Sequence, residues 1–352
     1  MNNQIKDKIR GSLFAGGVGD AFGYPVEFMS SSSIFAAYGE NGITKYELSG
    51  KNAIISDDTQ MTLFTACGLL NDITKQKLNG SSADPTKAVY ECYLDWFKTQ
   101  YGYPILKKHA WISNIPELRV ARAPGNTCLN ALASGKCGTI ENPLNRSKGC
   151  GGIMRIAPAA LSFEDSRQAM IAAAEESAIT HGHEMGYIPS AAVAYIINRL
   201  VYGEKNVPFE TLVRESMSEV TAIFGKKSVG EYLPMIVDKA LAYAPNGESD
   251  VLNIEDIGGG WTGDDAFAVA VYCVLRYGSD FDKVMISSVN HSGDSDSTGA
   301  IAGNIVGAMI GYDSIPEKWK SELELKDLIL ELADDIYTRY EDSDAWRKKY
   351  YI

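Results

Sequence analysis

The chain has 352 residues, 45% of them hydrophobic, and a formal net charge of −12. This length and apolar content can bury a large core within one or two domains. The acidic balance speaks against non-specific binding to nucleic acid or to an anionic membrane surface, so an anionic ligand would need local help from a cation or a helix N-terminus.

The chain starts with a short polar lead, "MNNQIKDKIRGSLFAGG", which lacks the apolar core of a secretory signal. Apolar residues then recur at helical spacing in "TQMTLFTACGLLNDI", "PTKAVYECYLDWFKTQ", "SRQAMIAAAEESAIT", "IPSAAVAYIINRLVYG", "FETLVRESMSEVTAIFG", "DDAFAVAVYCVLRYG" and "LKDLILELADDIYTRY". The pattern predicts an almost entirely helical chain. "GITKYEL" is the best candidate for a short strand or hairpin piece, and Pro85, Pro143, Pro208, Pro234 and Pro245 punctuate the helices. Segments 76–86 and 244–256 are polar but short, so they read as loops inside one domain spanning 1–352. The Gly- and Ala-rich stretches "AGGVGDAFGYPVEF" and "AGNIVGAMIGY" imply closely approaching backbones, with helix packing as the default reason. No uncharged apolar stretch reaches about 18 residues, so no membrane span is expected. Six scattered cysteines form no C-x-x-C pair, which fits reduced thiols in a cytoplasmic protein.

Two acidic turns carry the chemistry. Ser56-Asp57-Asp58-Thr59 could cap a helix, but capping needs one side chain and here two carboxylates adjoin two hydroxyls. Asp294-Ser295-Asp296-Ser297-Thr298-Gly299 imitates the start of an EF-hand loop. That loop needs a glutamate at its twelfth position, where this chain has Ile305. Taken together, Asp57, Asp58, Asp294 and Asp296 with the hydroxyls of Ser56 and Ser297 form an all-oxygen set suited to Mg²⁺, Mn²⁺ or Ca²⁺. Four carboxylates exceed what one Mg²⁺ that keeps its waters can use, whereas two ions roughly 3.5–4 Å apart would share them. The other signals are weaker. The turn with Gly149, Gly151 and Gly152 can expose N–H groups to a phosphate or simply lead into a helix. In "GGGWTGDDA", which contains Gly259, Trp261 can stack on a base, with core packing the more common fate of such a residue. His181 and His183 lack zinc-protease spacing and default to structural roles. Glu27 matters only as a base beside a metal-activated water.

The set resembles the ADP-ribosylglycohydrolase family. "GSLFAGGVGDAFGYPVEF", "SDDTQMTLF", "GCGGIMRIAP", "THGHEMGY", "GGGWTGDDAFAVAVYCVLRY" and "NHSGDSDSTGAIAGNIVGAMIG…IPEKW" occur in the family's order, from about Gly11 to Trp319. The resemblance implies a compact all-α fold, a single-domain orthogonal bundle of many helices, with a central cleft holding two Mg²⁺ or Mn²⁺ ions. It implies Ser56, Asp57, Asp58, Asp294, Asp296 and Ser297 as ligands, with serine where members usually carry threonine. It places Gly149, Gly151, Gly152 and His181 against ADP-ribose and Trp261 where an aromatic can face the adenine, with Gly259 a further substrate-binding residue. Cys150 stands where an asparagine is common, and His291-Ser292 where Leu-Gly is usual, which puts a change in the wall near the ribose or leaving group.

The expected reaction is hydrolysis of the bond between ADP-ribose and an acceptor, foremost the guanidinium of arginine on a protein. Glu27, Asp58 and Asp296 are the candidate catalytic acids, with Glu27 or a ligand aspartate as general base. Serine, a nucleic-acid base or a small molecule are alternative acceptors. A different class is an ADP-ribose-binding or immunity-type protein that acts by contact with an ADP-ribosyltransferase. The chain is expected to act as a monomer.

Overall fold

A computed structural model describes residues 3–80 and 82–351. Eighteen α-helices follow in order: α1 (Asn3–Gly23), α2 (Ser31–Tyr38), α3 (Asp57–Asn79), α4 (Pro85–Gln100), α5 (Asn126–Ala133), α6 (Ala157–Ser162), α7 (Ser166–Ala178), α8 (Glu184–Tyr202), α9 (Phe209–Phe224), α10 (Lys226–Val229), α11 (Tyr232–Tyr243), α12 (Asp250–Ile257), α13 (Gly263–Tyr277), α14 (Phe281–Val289), α15 (Ser295–Ile310), α16 (Glu317–Lys320), α17 (Lys326–Thr338) and α18 (Asp344–Tyr350). The fold is all-α as expected, and the buried apolar residues form one continuous core. Among the described residues no helix is long and apolar enough to cross a membrane. All six cysteines are free.

The centre of the bundle is the antiparallel pair α1 and α15, the most extensive helix contact in the molecule. Small residues every fourth position on α1 (Gly11, Ala15, Gly19, Gly23) meet Gly307, Gly303, Gly299 and Ser295 on α15. A Cβ on Gly19 would lie 2.0 Å from the Gly299 carbonyl oxygen, and one on Gly303 2.1 Å from that of Ala15. The glycines therefore act through backbone approach, as the packing default held. The consequence for the site is positional. The C-terminal end of α1, with Asp20, is clamped against the N-terminal end of α15, with Asp294 and Asp296.

Three local expectations are corrected. Residues 42–47 of "GITKYEL" form no strand; Leu48–Ser49 pairs antiparallel with Asn52–Ala53 instead. Ile43 has no ladder partner because the Asn290 side chain both accepts from its N–H and donates to its carbonyl, each at 2.8 Å. Segment 244–256 is not all loop, since α12 occupies its second half. Its start is tied down where the Tyr272 and Tyr277 hydroxyls donate to Asp250, and Ile254 and Ile257 bury its apolar face. Pro234 lies not between helices but in the first turn of α11, where its missing N–H would have had no helical acceptor.

Candidate active site

The two acidic turns, more than two hundred residues apart in sequence, meet at one cleft. Asp57 and Asp58 are the first residues of α3, and Asp294 caps α15 by accepting from the Ser297 N–H at 3.3 Å. Asp296 also accepts from that N–H, at 2.9 Å. Both helices thus aim their N-termini at the same space, and the positive end of each dipole partly offsets the clustered carboxylates. Glu27 reaches in from the turn after α1. Single carboxylate oxygens of Glu27, Asp294 and Asp296 all lie within 4.8 Å of one another. Asp57, Asp58 and Ser297 line the same cleft.

The polar bonding leaves spare capacity. Asp57 accepts from the Gly125 N–H at 3.2 Å, but Asp58 Oδ2 is buried with no hydrogen-bond partner. An orphaned buried carboxylate oxygen among four other acids is costly unless a cation meets it. Together with the all-oxygen donor set, this orphan makes the residues fit divalent ions of the Mg²⁺ or Mn²⁺ kind. Ser56 is fully buried, and its hydroxyl caps α3 by accepting from the Asp58 N–H at 3.2 Å.

Electrostatic crowding is visible in the acids themselves. Burial, then Asp294 and Asp20, push Glu27 from an ordinary 4.5 up to about 8. Burial dominates the upward shift of Asp57, of Asp58 and of Asp296; for Asp58 and Asp296 the neighbouring aspartates come next. The sequence reading missed Asp20, a fully buried acid on α1. Its carboxylate accepts from the backbone N–H of Ser56 and of Thr59, near 3.0 Å each, and so holds the first acidic turn in place. Burial lifts it from 3.8 to about 6. The available signal was a lone acid amid the small residues of "GGVGDAFG".

These shifts set a pH dependence. In the folded, metal-free protein Glu27 and Asp20 hold protons that the unfolded chain has released. Their contribution to stability is complete below pH about 4 and is lost as pH rises through about 6 and then about 8. With chelator present, the thermal midpoint should fall between pH 5.5 and 8.5 (on the order of the two values just given), and Mg²⁺ or Mn²⁺ should restore it most at the alkaline end. Differential scanning fluorimetry across that range checks this. A chelated midpoint that does not fall would mean that the acids are not crowded.

The remaining candidates divide. Gly149, Gly151 and His181 line the cleft, as do Phe28 and Cys128. Gly152 lies behind the wall, where a Cβ would come 2.7 Å from the Gly186 carbonyl oxygen. Gly259 acts through its backbone, its carbonyl accepting from Asp294 N–H at 3.0 Å. Trp261 escapes the expected core packing. It is 51% exposed and stacks on Phe28 at 5.0 Å between ring centroids, while its carbonyl accepts from Cys150 N–H. Phe28 itself went unnoticed in the sequence; it has a left-handed φ of 61° and donates its N–H to the Gly293 carbonyl. His183 is structural, accepting from the Met185 N–H at the start of α8. The Cys150 thiol donates to Asp294 Oδ2 at 3.0 Å, so the sulfur touches the acid cluster. His291 does not modify the cleft wall as expected. It is fully buried, with Nε2 2.8 Å from the Thr298 hydroxyl and 3.0 Å from the Ser288 carbonyl.

The family model described as ADP-ribosylglycohydrolase matches residues 1–345. The ADP-ribosyl-[dinitrogen reductase] glycohydrolase of Rhodospirillum rubrum is 25% identical over 339 residues, covering 92% of each chain. ADP-ribosylhydrolase ARH1 of Dictyostelium discoideum is 23% identical over 399 residues, covering 96% of this chain and 95% of its own. A solved structure of an ADP-ribosylglycohydrolase-related protein complex superposes with a TM-score of 0.68 at 21% identity, covering 96% of this chain and 99% of that one, and so shares the fold. With a family match running over nearly its whole length, the chain belongs to the ADP-ribosylglycohydrolase family, whose activity is hydrolysis of ADP-ribose from an acceptor.

Proposed function

We propose that the protein is a divalent-metal-dependent hydrolase that releases ADP-ribose from the guanidinium of arginine on a modified protein. The observation that carries this reading is the convergence of Glu27, Asp294 and Asp296 within 4.8 Å beside the unpartnered Asp58 Oδ2. Asp57, Asp58, Asp294 and Asp296, with Ser297 and Ser56, would hold two ions. Bound there, Mg²⁺ or Mn²⁺ supplies Lewis-acid polarisation of ribose hydroxyls and of water.

The chain's own groups do the rest. Glu27, which reaches the cleft beside Asp294 and Asp296, takes a proton from the attacking water. The water oxygen bonds to the anomeric carbon as the carbon–nitrogen bond breaks. The guanidine leaves neutral and ends with that proton, so the products are ADP-ribose and arginine. The surrounding carboxylates stabilise positive charge on the ribose as the bond opens. Gly149 and Gly151 let the substrate approach the backbone, and the exposed Phe28–Trp261 pair offers a flat apolar face to a base.

The test is a substrate panel. Peptides carrying ADP-ribosyl-arginine or ADP-ribosyl-serine, and an ADP-ribosylated nucleic acid, are incubated with Mg²⁺, Mn²⁺ or chelator, and free ADP-ribose is measured. Metal-dependent turnover of the arginine substrate is expected. Turnover of serine or nucleic acid alone would reassign the acceptor. Binding of ADP-ribose with no turnover of any substrate would overturn the hydrolase reading in favour of a binding protein.

A further inference from the structure

Beneath the cleft floor lies a polar chain that the metal chemistry does not use. Arg155 is fully buried. Its guanidinium lies 4.5 Å from the centre of the Tyr93 ring. One terminal nitrogen donates to the Thr180 hydroxyl oxygen at 2.7 Å. The other is 3.3 Å from both the Met61 and Cys128 sulfurs. Thr180 Oγ1 is in turn 2.8 Å from His181 Nδ1.

The direction of these bonds follows from chemistry. Arginine has no acceptor, so the Thr180 oxygen accepts from it. The single Thr180 hydrogen is then free for His181 Nδ1, a better acceptor than the neighbouring Cys128 sulfur. The opposite arrangement would point a Nδ1–H toward an oxygen already taking an Arg155 N–H, with its positive end facing a guanidinium. Electrostatics disfavours it. With Nδ1 accepting, a neutral His181 carries its hydrogen on Nε2.

That Nε2 edge faces the cleft. A Cβ on Gly149 would sit 3.4 Å from Nε2, and one on Gly151 3.3 Å from it and 3.0 Å from Cε1. The two glycines therefore keep the edge uncovered. Among the described residues no protein group is paired with Nε2, although the residue is only 2% exposed.

We propose that Arg155 and Thr180 are positioning residues that lock His181 as an Nε2–H donor on the cleft floor, aimed at a phosphate or hydroxyl oxygen of the bound ligand. The ligand side of this rests on the ADP-ribose reading above; the lock itself does not. Two further features support it. Burial and Arg155 push His181 down to about 3, so the ring stays neutral and acts as a fixed donor, not as a proton shuttle. Arg155 also makes no salt bridge among the described residues: the nearby Glu176 is fully buried, neither of its carboxylate oxygens is hydrogen-bonded, and burial raises it well above the usual range. A hidden positive charge behind the donor strengthens its hold on an anionic oxygen.

The experiment reads the tautomer of His181 by ring nitrogen NMR in the full-length protein, without ligand, then with ADP-ribose in the presence of Mg²⁺. Wild type should show protonated Nε2 and unprotonated Nδ1 from pH 6 to 8 (roughly the range in which an ordinary histidine titrates), and ADP-ribose should shift the Nε2–H signal. Thr180→Val, which keeps the shape and removes the hydroxyl, should give mixed tautomers and about tenfold weaker ADP-ribose binding. Thr180→Ser should restore both, and Mg²⁺ affinity should not change in either variant, which separates the lock from general damage to the site. A wild-type Nδ1–H tautomer would overturn the proposal, whatever the variants do. So would an unchanged tautomer and affinity in Thr180→Val. Wild type with the expected tautomer but no ADP-ribose binding would sink the functional reading and leave the lock standing.

Discussion

Asp57→Asn and Asp296→Asn should each lower kcat/KM for an ADP-ribosyl-arginine substrate by about a thousandfold or more, equivalent to roughly 4 kcal/mol of lost transition-state stabilisation. The same variants should be more stable than wild type when metal is withheld. Both carboxylates are nearly completely buried, at 5% and 2% exposure, and burial together with neighbouring acids raises them well above the usual carboxylate range. An amide in their place is neutral without having to bind a proton, so the penalty that burial and the neighbouring acids place on each carboxylate disappears. Opposite signs on activity and on chelated stability mark a site that is strained in order to hold cations. The readouts are ADP-ribose release, the chelated thermal midpoint, and the rise in midpoint on adding Mg²⁺. Wild-type turnover together with a wild-type Mg²⁺ response in both variants would remove these aspartates from the metal site.

Gly303→Ala should destabilise the protein by about 3 kcal/mol, although glycine to alanine inside an open helix normally gains about 1 kcal/mol. The sign reverses because the new Cβ would lie 2.1 Å from the Ala15 carbonyl oxygen, a backbone atom of the facing helix that has no rotamer to move out of the way. Gly19→Ala, whose Cβ would sit 2.0 Å from the Gly299 carbonyl oxygen, should act in the same direction. Forcing α1 from α15 also separates Asp20 from Asp294 and Asp296, so Mg²⁺ should bind more weakly. Urea unfolding with chelator and a Mg²⁺ titration measure the two effects. A stabilised Gly303→Ala would show that the helices have room to spare.

Much of the molecule could be read from the sequence. The recurrence of apolar residues located α3, α4, α7, α8, α9, α13 and α17, whereas α1 from Gly11 and α15 up to Ala308 are buried at every position and leave no single apolar face to read. The two acid-hydroxyl turns stood out because they carry more charge than capping requires. Donor chemistry joined them into one all-oxygen set once Ile305 had excluded a calcium loop, and resemblance to the ADP-ribosylglycohydrolase family then placed that set in a cleft for ADP-ribose.

Other features have no local trace. Asp20 looks like any acid in a helix until folding sets it under the Ser56 and Thr59 N–H groups. His291 resembles a change in the cleft wall until its ring is found between Ser288 and Thr298. Trp261 has the composition of a core residue but stacks at the surface because the Gly258–Gly260 turn carries it outward. The order Arg155, Thr180, His181 conveys nothing about a tautomer. The sequence by itself determined the all-α character, the helices with a periodic apolar pattern and the residue types that could hold cations, since propensity, periodicity and donor chemistry are properties of short stretches. Only the tertiary structure decided which acids share one cleft, which hydroxyl faces which nitrogen and which glycines touch, because most of those are distances between segments far apart in the chain, set by how the helices pack.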